Sequence, residues 1–304
     1  MDLDARLIAR FEEGLDPRNL SASAVPAKLL GYGEISAIFE IEGLEGIAVK
    51  RMPLFRDRAE AAAYEKNYHA YCGMLSEAGL SLPESRTVVA AAAGRPVSLY
   101  IGQKKIPAGA FGNKMVAGMG RDDALCLARQ VAAEIAKVWE FNRSNHPERE
   151  LAIDAQVSNW AREEGGRWLF LDTSTPLFRT SGRETLDPEL LLAAVPSLMK
   201  PLVRAVFLSD VMNRYYDPRQ VALDLAANLY KEQRPDLVPV FLQAGNEIFA
   251  GLFSPITEKE AASYYRFDKL IWQTFLALRK MDRLLMEKVF RKRYEFLLPG
   301  KIKR

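Results

Sequence analysis

Histidine and cysteine are scarce in this chain of 304 residues, with two of each. His69 and His146 are too few for a histidine-rich metal centre. Cys72 and Cys126 lie far apart in sequence; they allow a single disulfide, but two buried thiols in a reducing compartment are the expectation. The sequence has no apolar run of about 18 residues, the length that would predict a transmembrane helix. The first stretch, "MDLDARLIARFEEG", is charged and helical in pattern and lacks the apolar centre of a signal peptide. A cytoplasmic protein with no membrane partner is therefore expected. A strong excess of one charge is also missing. The net charge is +3 with a pI near 8.7, which does not by itself call for nucleic acid. Internal repeats and low-complexity segments are absent.

What the chain does have is a change of character near residue 107. Before it, strand patterns dominate. "EISAIFEIEG" (34–43) alternates Ile35, Ala37, Phe39 and Ile41 with polar or smaller residues, and "IAVKRM" (47–52) reads as the returning strand. A helix is predicted over 56–79, with Asp57 and Glu60 as a capping box and Gly79 as the stop. Further strands are predicted at 85–92 and 96–106. After a glycine-rich connection, "PAGAFGNKMVAGMG" (107–120), helices are predicted near 122–142, 188–212, 218–232, 236–252 and 258–297. In "RYYDPRQ" Pro218 marks the start of a new helix. The pattern predicts an α+β protein: a β-rich part over 1–106 that includes an N-terminal helix, and a mostly helical part over 107–304.

"LLGYGEIS" (29–36) carries Gly31 and Gly33. Glycine lets backbone N–H groups approach phosphate oxygens without an intervening Cβ. In a dinucleotide-binding unit such glycines open a helix. Here they open a strand, so that reading fails. A glycine loop between antiparallel strands covers phosphates from above and needs a lysine on the following strand; "IAVK" supplies Lys50. Lys50 shares a strand face with Ala48, which leaves room for a flat ring. A solvent-facing strand lysine is the plain alternative. To fix the lysine, the next helix offers Glu60, already used in the cap, and Glu65, which is the candidate.

"LAIDAQVSNWAREEGGRWLFLDTST" (151–175) places Asp154, Asn159 and Asp172 around two short strand patterns and the turn "REEGGR". A hairpin of that length would bring Asn159 and Asp172 together. An amide oxygen and a carboxylate are hard ligands suited to Mg²⁺, which takes few protein ligands. Asp154 could then accept the proton of an attacking hydroxyl. Each residue alone is an ordinary loop residue.

Taken in order, "GYGEIS", "AVK", "D-A-Q-V-S-N" (154–159) and "LFLD" ending at Asp172 resemble the protein-kinase-like superfamily, most closely its atypical bacterial branch of small-molecule and aminoglycoside-type phosphotransferases. The resemblance implies a bilobal fold, ATP and Mg²⁺ as cofactors, and a small-molecule acceptor. By it Gly31 and Gly33 cover the phosphates and Lys50, set by Glu65, anchors them. Asn159 and Asp172 hold metal, and Asp154 orients the acceptor hydroxyl. "LYIGQKKIP" matches the strand entering the hinge, which makes Ile106 a cofactor-binding candidate. The departures are Ala152-Ile153-Asp154 in place of His-Arg-Asp or His-Gly-Asp, and Asp172-Thr173-Ser174 in place of Asp-Phe-Gly. They argue against a protein substrate and against control by a phosphorylated activation segment. They also leave open a nucleotide-binding pseudokinase with a regulatory or scaffolding role. The basic tail, "KVFRKRYEFLLPGKIKR" (288–304), is expected to be the solvated end of the last helix rather than a nucleic-acid site.

Overall fold

The chain opens with a helix, α1 (Ala5–Gly14), whose start is fixed by Asp4: its carboxylate accepts from the N–H groups of Arg6 and Leu7. The structure, a computed structural model, describes residues 1–33, 35–193, 200 and 212–298. α1 buries Ile8 and Phe11 against a five-stranded antiparallel sheet of order β1-β2-β3-β5-β4. Its strands are β1 (Ala27–Tyr32), β2 (Ala37–Ile41), β3 (Ile47–Phe55), β4 (Ser85–Ala90) and β5 (Val97–Lys104). The protein is α+β.

The two faces of this sheet carry different cores, and the period of two along β3 sorts its residues between them. Ile47, Val49 and Arg51 face α1, where Phe39, Val49 and Tyr100 pack with Ile8, Phe11 and Leu15. Ala48, Lys50 and Met52 face the other way, toward α2 (Arg58–Glu77) and the rest of the chain. The face assigned to Lys50 beside Ala48 is the one observed. α2 buries Tyr64, Tyr68 and Tyr71 as one stripe, at helical spacing, under Met52, Leu99 and Ile101. Its cap differs in one detail from the expected box. Asp57 accepts from the Glu60 N–H at 2.9 Å, but the Glu60 carboxylate takes the N–H of Arg56 at 2.6 Å.

After residue 106 a short helix α3 (Gly112–Val116) and a long helix α4 (Arg121–Asn145) follow. Two small β units come next. Strands β6 (Arg149–Leu151), β9 (Phe178–Thr180) and β10 (Arg183–Glu184) form one, and β7 (Trp160–Arg162) with β8 (Trp168–Phe170) form the other. The β7–β8 hairpin is the one expected. The unit around β6 was not read from the sequence, because strands this short carry no resolvable alternation.

Helices α5 (Pro188–Ala193), α6 (Pro218–Lys231), α7 (Val238–Ile248) and α8 (Glu258–Leu284) complete the described fold. The helix expected over 188–212 lies mostly outside the described residues. α6 begins at Pro218 as expected, capped by Asp217, whose carboxylate accepts from Arg219 and Gln220. α8 is shorter than the predicted 258–297. It ends at Leu284, runs through one wide turn over Leu285–Val289, and reverses at Arg291, whose φ is +52°. Residues 294–297 then return to the first sheet. There the Glu295 carboxylate meets the buried Arg51 guanidinium at 3.0 Å and Arg95 at 3.2 Å. The tail is thus recruited by a buried charge rather than extending the helix into solvent; residues 299–304 lie outside the described residues. Both cysteines are free, and Cys126 is exposed rather than buried. Among the described residues no helix is long and apolar enough to cross a membrane.

Candidate functional site

The inner face of β3 meets the loop after β8. Lys50 Nζ lies 3.1 Å from Asp172 Oδ1 and donates to Ser174 Oγ at 2.7 Å. Ser174 Oγ in turn donates to Asp172 Oδ1 at 3.0 Å. The lysine and the acid are 122 residues apart in sequence, so only the packed fold joins them. Gln103 on β5 holds the same loop by donating to the Leu171 carbonyl at 3.3 Å and to Thr173 Oγ1 at 3.2 Å. Tyr64 Oη donates to the Ser174 carbonyl at 2.7 Å.

The hairpin sets Asn159 beside Asp172. Trp160 pairs with Phe170 in the β7–β8 ladder, and the Leu171 N–H donates to the Asn159 carbonyl at 2.8 Å. The ladder therefore continues one step past the strands and places Asn159 and Asp172 at its open end. Asn159 Nδ2 donates back to the Asp154 carbonyl at 2.9 Å, which closes 154–159 into a compact loop. The Gln156 N–H donates to Asp154 Oδ1 at 3.2 Å. Ala152 and Ile153, just before the acid, are wholly buried, and Tyr71 Oη caps the Ala152 carbonyl at 2.7 Å. Asn142 on α4 brackets Leu151, donating to its carbonyl at 2.8 Å and accepting from its N–H at 2.7 Å. Gly112 sits against this loop from the other side. A Cβ there would stand 2.5 Å from the Val157 carbonyl oxygen, too close for any side chain, so the glycine-rich connection is required at this point by packing.

The electrostatics divide the two acids. For Asp154, burial pushes the carboxyl well above its ordinary value, and the charges of Asp224 and Asp172 push it the same way. For Asp172, burial also acts upward, but Lys50 and the Ser174 hydroxyl outweigh it and hold the carboxyl below its ordinary range. Asp172 remains 31 % exposed and Lys50 16 %. Both groups are thus largely enclosed by protein yet still reached by water.

The remaining expected residues fall as follows. Gly31 pairs with Ile38, which pairs with Lys50, which pairs with Ile101, so Gly31 stands in the same row across the sheet as the lysine. Gly33 closes a tight turn by donating its N–H to the Ser36 carbonyl at 2.9 Å, and it lines a small cavity with Arg51 and Glu295. That places Gly33 with side chains of the sheet face opposite Lys50; Glu34 between them lies outside the described residues. Ile106 is half-buried in the stretch that follows β5. Glu65 is half-buried on α2 and makes no ion pair with Lys50; the carboxylate expected from the helix is supplied by Asp172.

Sequence reasoning missed Asp224. It lies on α6, where burial and the charge of Asp268 raise its carboxyl to about 6. Four and seven residues on, α6 carries Asn228, whose buried Oδ1 has no hydrogen-bond partner among the described residues, and Lys231, which donates to Gln156 Oε1 at 3.0 Å. The signal was present as Asp, Asn and Lys at i, i+4 and i+7 in the otherwise apolar "VALDLAANLYK". Ser174, Gln103 and the tyrosine stripe had no local signal.

As a metal site the pair fits hard-ion chemistry. Asn159 Nδ2 is committed to the Asp154 carbonyl, which leaves its amide oxygen free of that bond, one residue across the hairpin end from Asp172. Among the described residues no group of three or more His, Cys, Asp or Glu could hold a metal by itself. An ion here would need oxygen atoms from another molecule. No curated protein matches the sequence. One family profile does match, over residues 18–283, from just after α1 almost to the end of α8, and by that extent the chain belongs to the family of unknown function DUF6206.

Proposed function

We propose that the protein is a kinase-like phosphotransferase that moves the γ-phosphate of ATP to a hydroxyl of a small-molecule acceptor. The observation that carries this reading is the convergence of Lys50 with Asp172 at 3.1 Å, next to the hairpin end where Asn159 stands. Phosphoryl transfer asks little covalent chemistry of a protein; it asks for positioned cations and a placed acceptor. In this reading the β-rich part over 1–106 and the helical part over 107–304 form two lobes. Lys50 holds phosphate oxygens, and Gly31, in its row, offers backbone to them. Ile106 borders the nucleotide from the connecting stretch, and Gly33, which lines a cavity with Arg51 and Glu295, is given no role at the phosphates. Asn159 and Asp172 would hold Mg²⁺, which supplies charge neutralisation at the phosphates when bound. Asp154 orients the acceptor hydroxyl, and a cation beside Asp172 would favour its ionised form. Glu65 is given no role at Lys50.

A second reading, a nucleotide-binding pseudokinase, is favoured by two observations. The residues before Asp154 are buried and apolar, and Lys50 is already engaged by Asp172 and Ser174. The experiment that separates the readings is nucleotide turnover against a panel of small hydroxyl compounds with Mg²⁺, comparing wild type with Asp154→Asn. Turnover lost in the variant supports transfer. Mg²⁺-dependent ATP binding without turnover in the wild type supports the pseudokinase, and no ATP binding at all rejects both.

A further inference from the structure

α8 and the turn after it leave large apolar side chains uncovered. Phe267, Leu270, Met281, Leu284 and Leu285 are all exposed, and Leu284 is 60 % accessible. At the helical pitch they fall within an arc of about 100°, a single stripe along the helix. From Phe267 to Leu285 the stripe runs about 27 Å. It ends at Val289 and Phe290, which are 63 % and 60 % exposed at the tip of the wide turn. Between Leu270 and Met281 the same arc carries the exposed Thr274 and Ala277, so the large apolar residues form two groups, the denser one from Met281 to Phe290 beside the basic residues.

The surroundings of the stripe say what kind of surface it fits. Residues 279–293 hold seven Lys or Arg and two acids, more net positive charge than the whole chain, which is +3. Lys280, Lys288, Arg291 and Lys292 are exposed and form no ion pair among the described residues. The helix is held at both ends rather than fraying. Thr257 and Glu260 form a complete capping box at its start. After its end, Glu295 docks on Arg51 and Arg95, while Arg279 stacks over Phe275 and Phe296. The stripe is therefore a fixed convex ridge with a basic border.

We propose that this face of α8 and its tip dock on an anionic lipid surface. A second copy of the chain laid on the ridge would bring the unpaired cations of both copies together. A planar sheet of anionic headgroups neutralises them and accepts apolar side chains at its boundary. Such docking needs no membrane-spanning helix. It is independent of the phosphotransferase reading and moves the protein's site to a surface without altering it.

The test is flotation of the full-length protein with phosphatidylserine-containing vesicles and with pure phosphatidylcholine vesicles, at low and high salt. The expected result is partition onto the anionic vesicles only, weakened by salt. Leu284→Glu with Phe290→Glu should abolish it with unchanged circular dichroism and melting temperature. Each of Lys288→Glu and Lys292→Glu should lower partition by roughly fivefold or more. The proposal is overturned by no flotation, by equal flotation on both vesicle types, or by a dimer in light scattering that Leu284→Glu splits. In that last case the occupant is a second copy.

Discussion

Asp172→Ala tests the centre of the site because it removes the one carboxylate that Lys50 touches among the described residues. At 3.1 Å and an effective dielectric of ~20, the attraction between the pair is about 5 kcal/mol. Desolvation of two partly buried charges offsets most of this. Lys50 also keeps Ser174 Oγ at 2.7 Å and some access to water, so the variant should lose only about 1–2 kcal/mol of stability. For a chain of this length that is roughly 2–4 °C in melting temperature. The ligand response should differ far more. A ligand at about a hundred times its Kd stabilises the folded state by about 2.7 kcal/mol, or roughly 5 °C on the same scale. Wild type should therefore show a clear upward shift with ATP and Mg²⁺ and a smaller one with ATP alone. Asp172→Ala should fold, melt slightly lower, and show no Mg²⁺-dependent component. Differential scanning fluorimetry with and without Mg²⁺ reads all four conditions. An Mg²⁺-dependent shift in Asp172→Ala equal to that of wild type would refute the metal assignment, and a wild type indifferent to ATP would refute the nucleotide site.

Other expectations follow from the same geometry. Asp224 has its carboxyl raised to about 6. Stability from its protonation is complete below the ordinary carboxylate value of about 3.9 and is lost as pH rises through about 6, so melting temperature should climb on acidifying from pH 7 toward 5, and Asp224→Asn should flatten that slope. Glu12 is the opposite case: burial acts upward, but Arg51 holds the carboxyl below its ordinary value. Its contribution is present above about 4.3 and lost as pH falls through its lower folded value, so urea melts of wild type should weaken steeply in that acid window. Gly112→Val would push on the Val157 carbonyl, costing about 1–3 kcal/mol, and should impair any turnover more than the remote Gly165→Ala, where a Cβ meets nothing. Tyr71→Phe would leave the buried Ala152 carbonyl without its hydroxyl partner, for a loss of about 1–3 kcal/mol measured by chemical denaturation.

The sequence by itself determined the elements and much of their order. Alternation placed β2 and β3, put Lys50 on one face with Ala48, and set the hairpin between Asn159 and Asp172, because side-chain periodicity and turn chemistry are local properties of the chain; that this face turns inward was decided by packing. It could also have exposed Asp224, whose spacing to Asn228 and Lys231 is written into the helix. Partnership was decided by the tertiary structure. Glu65 was a reasonable choice for Lys50, yet Asp172 and Ser174 reach the ammonium instead, since which carboxylate arrives depends on how α2 and the loop after β8 pack, with Tyr64 occupying the α2 side. The last helix shows the same division. Its apolar and basic residues continue the helical pattern beyond Leu284, but the chain turns at Arg291 so that Glu295 can answer the buried charges of Arg51 and Arg95. Arg51 and Arg95 already share the buried Glu12, which leaves one positive charge in excess until Glu295 arrives, and that balance exists only once the chain is folded.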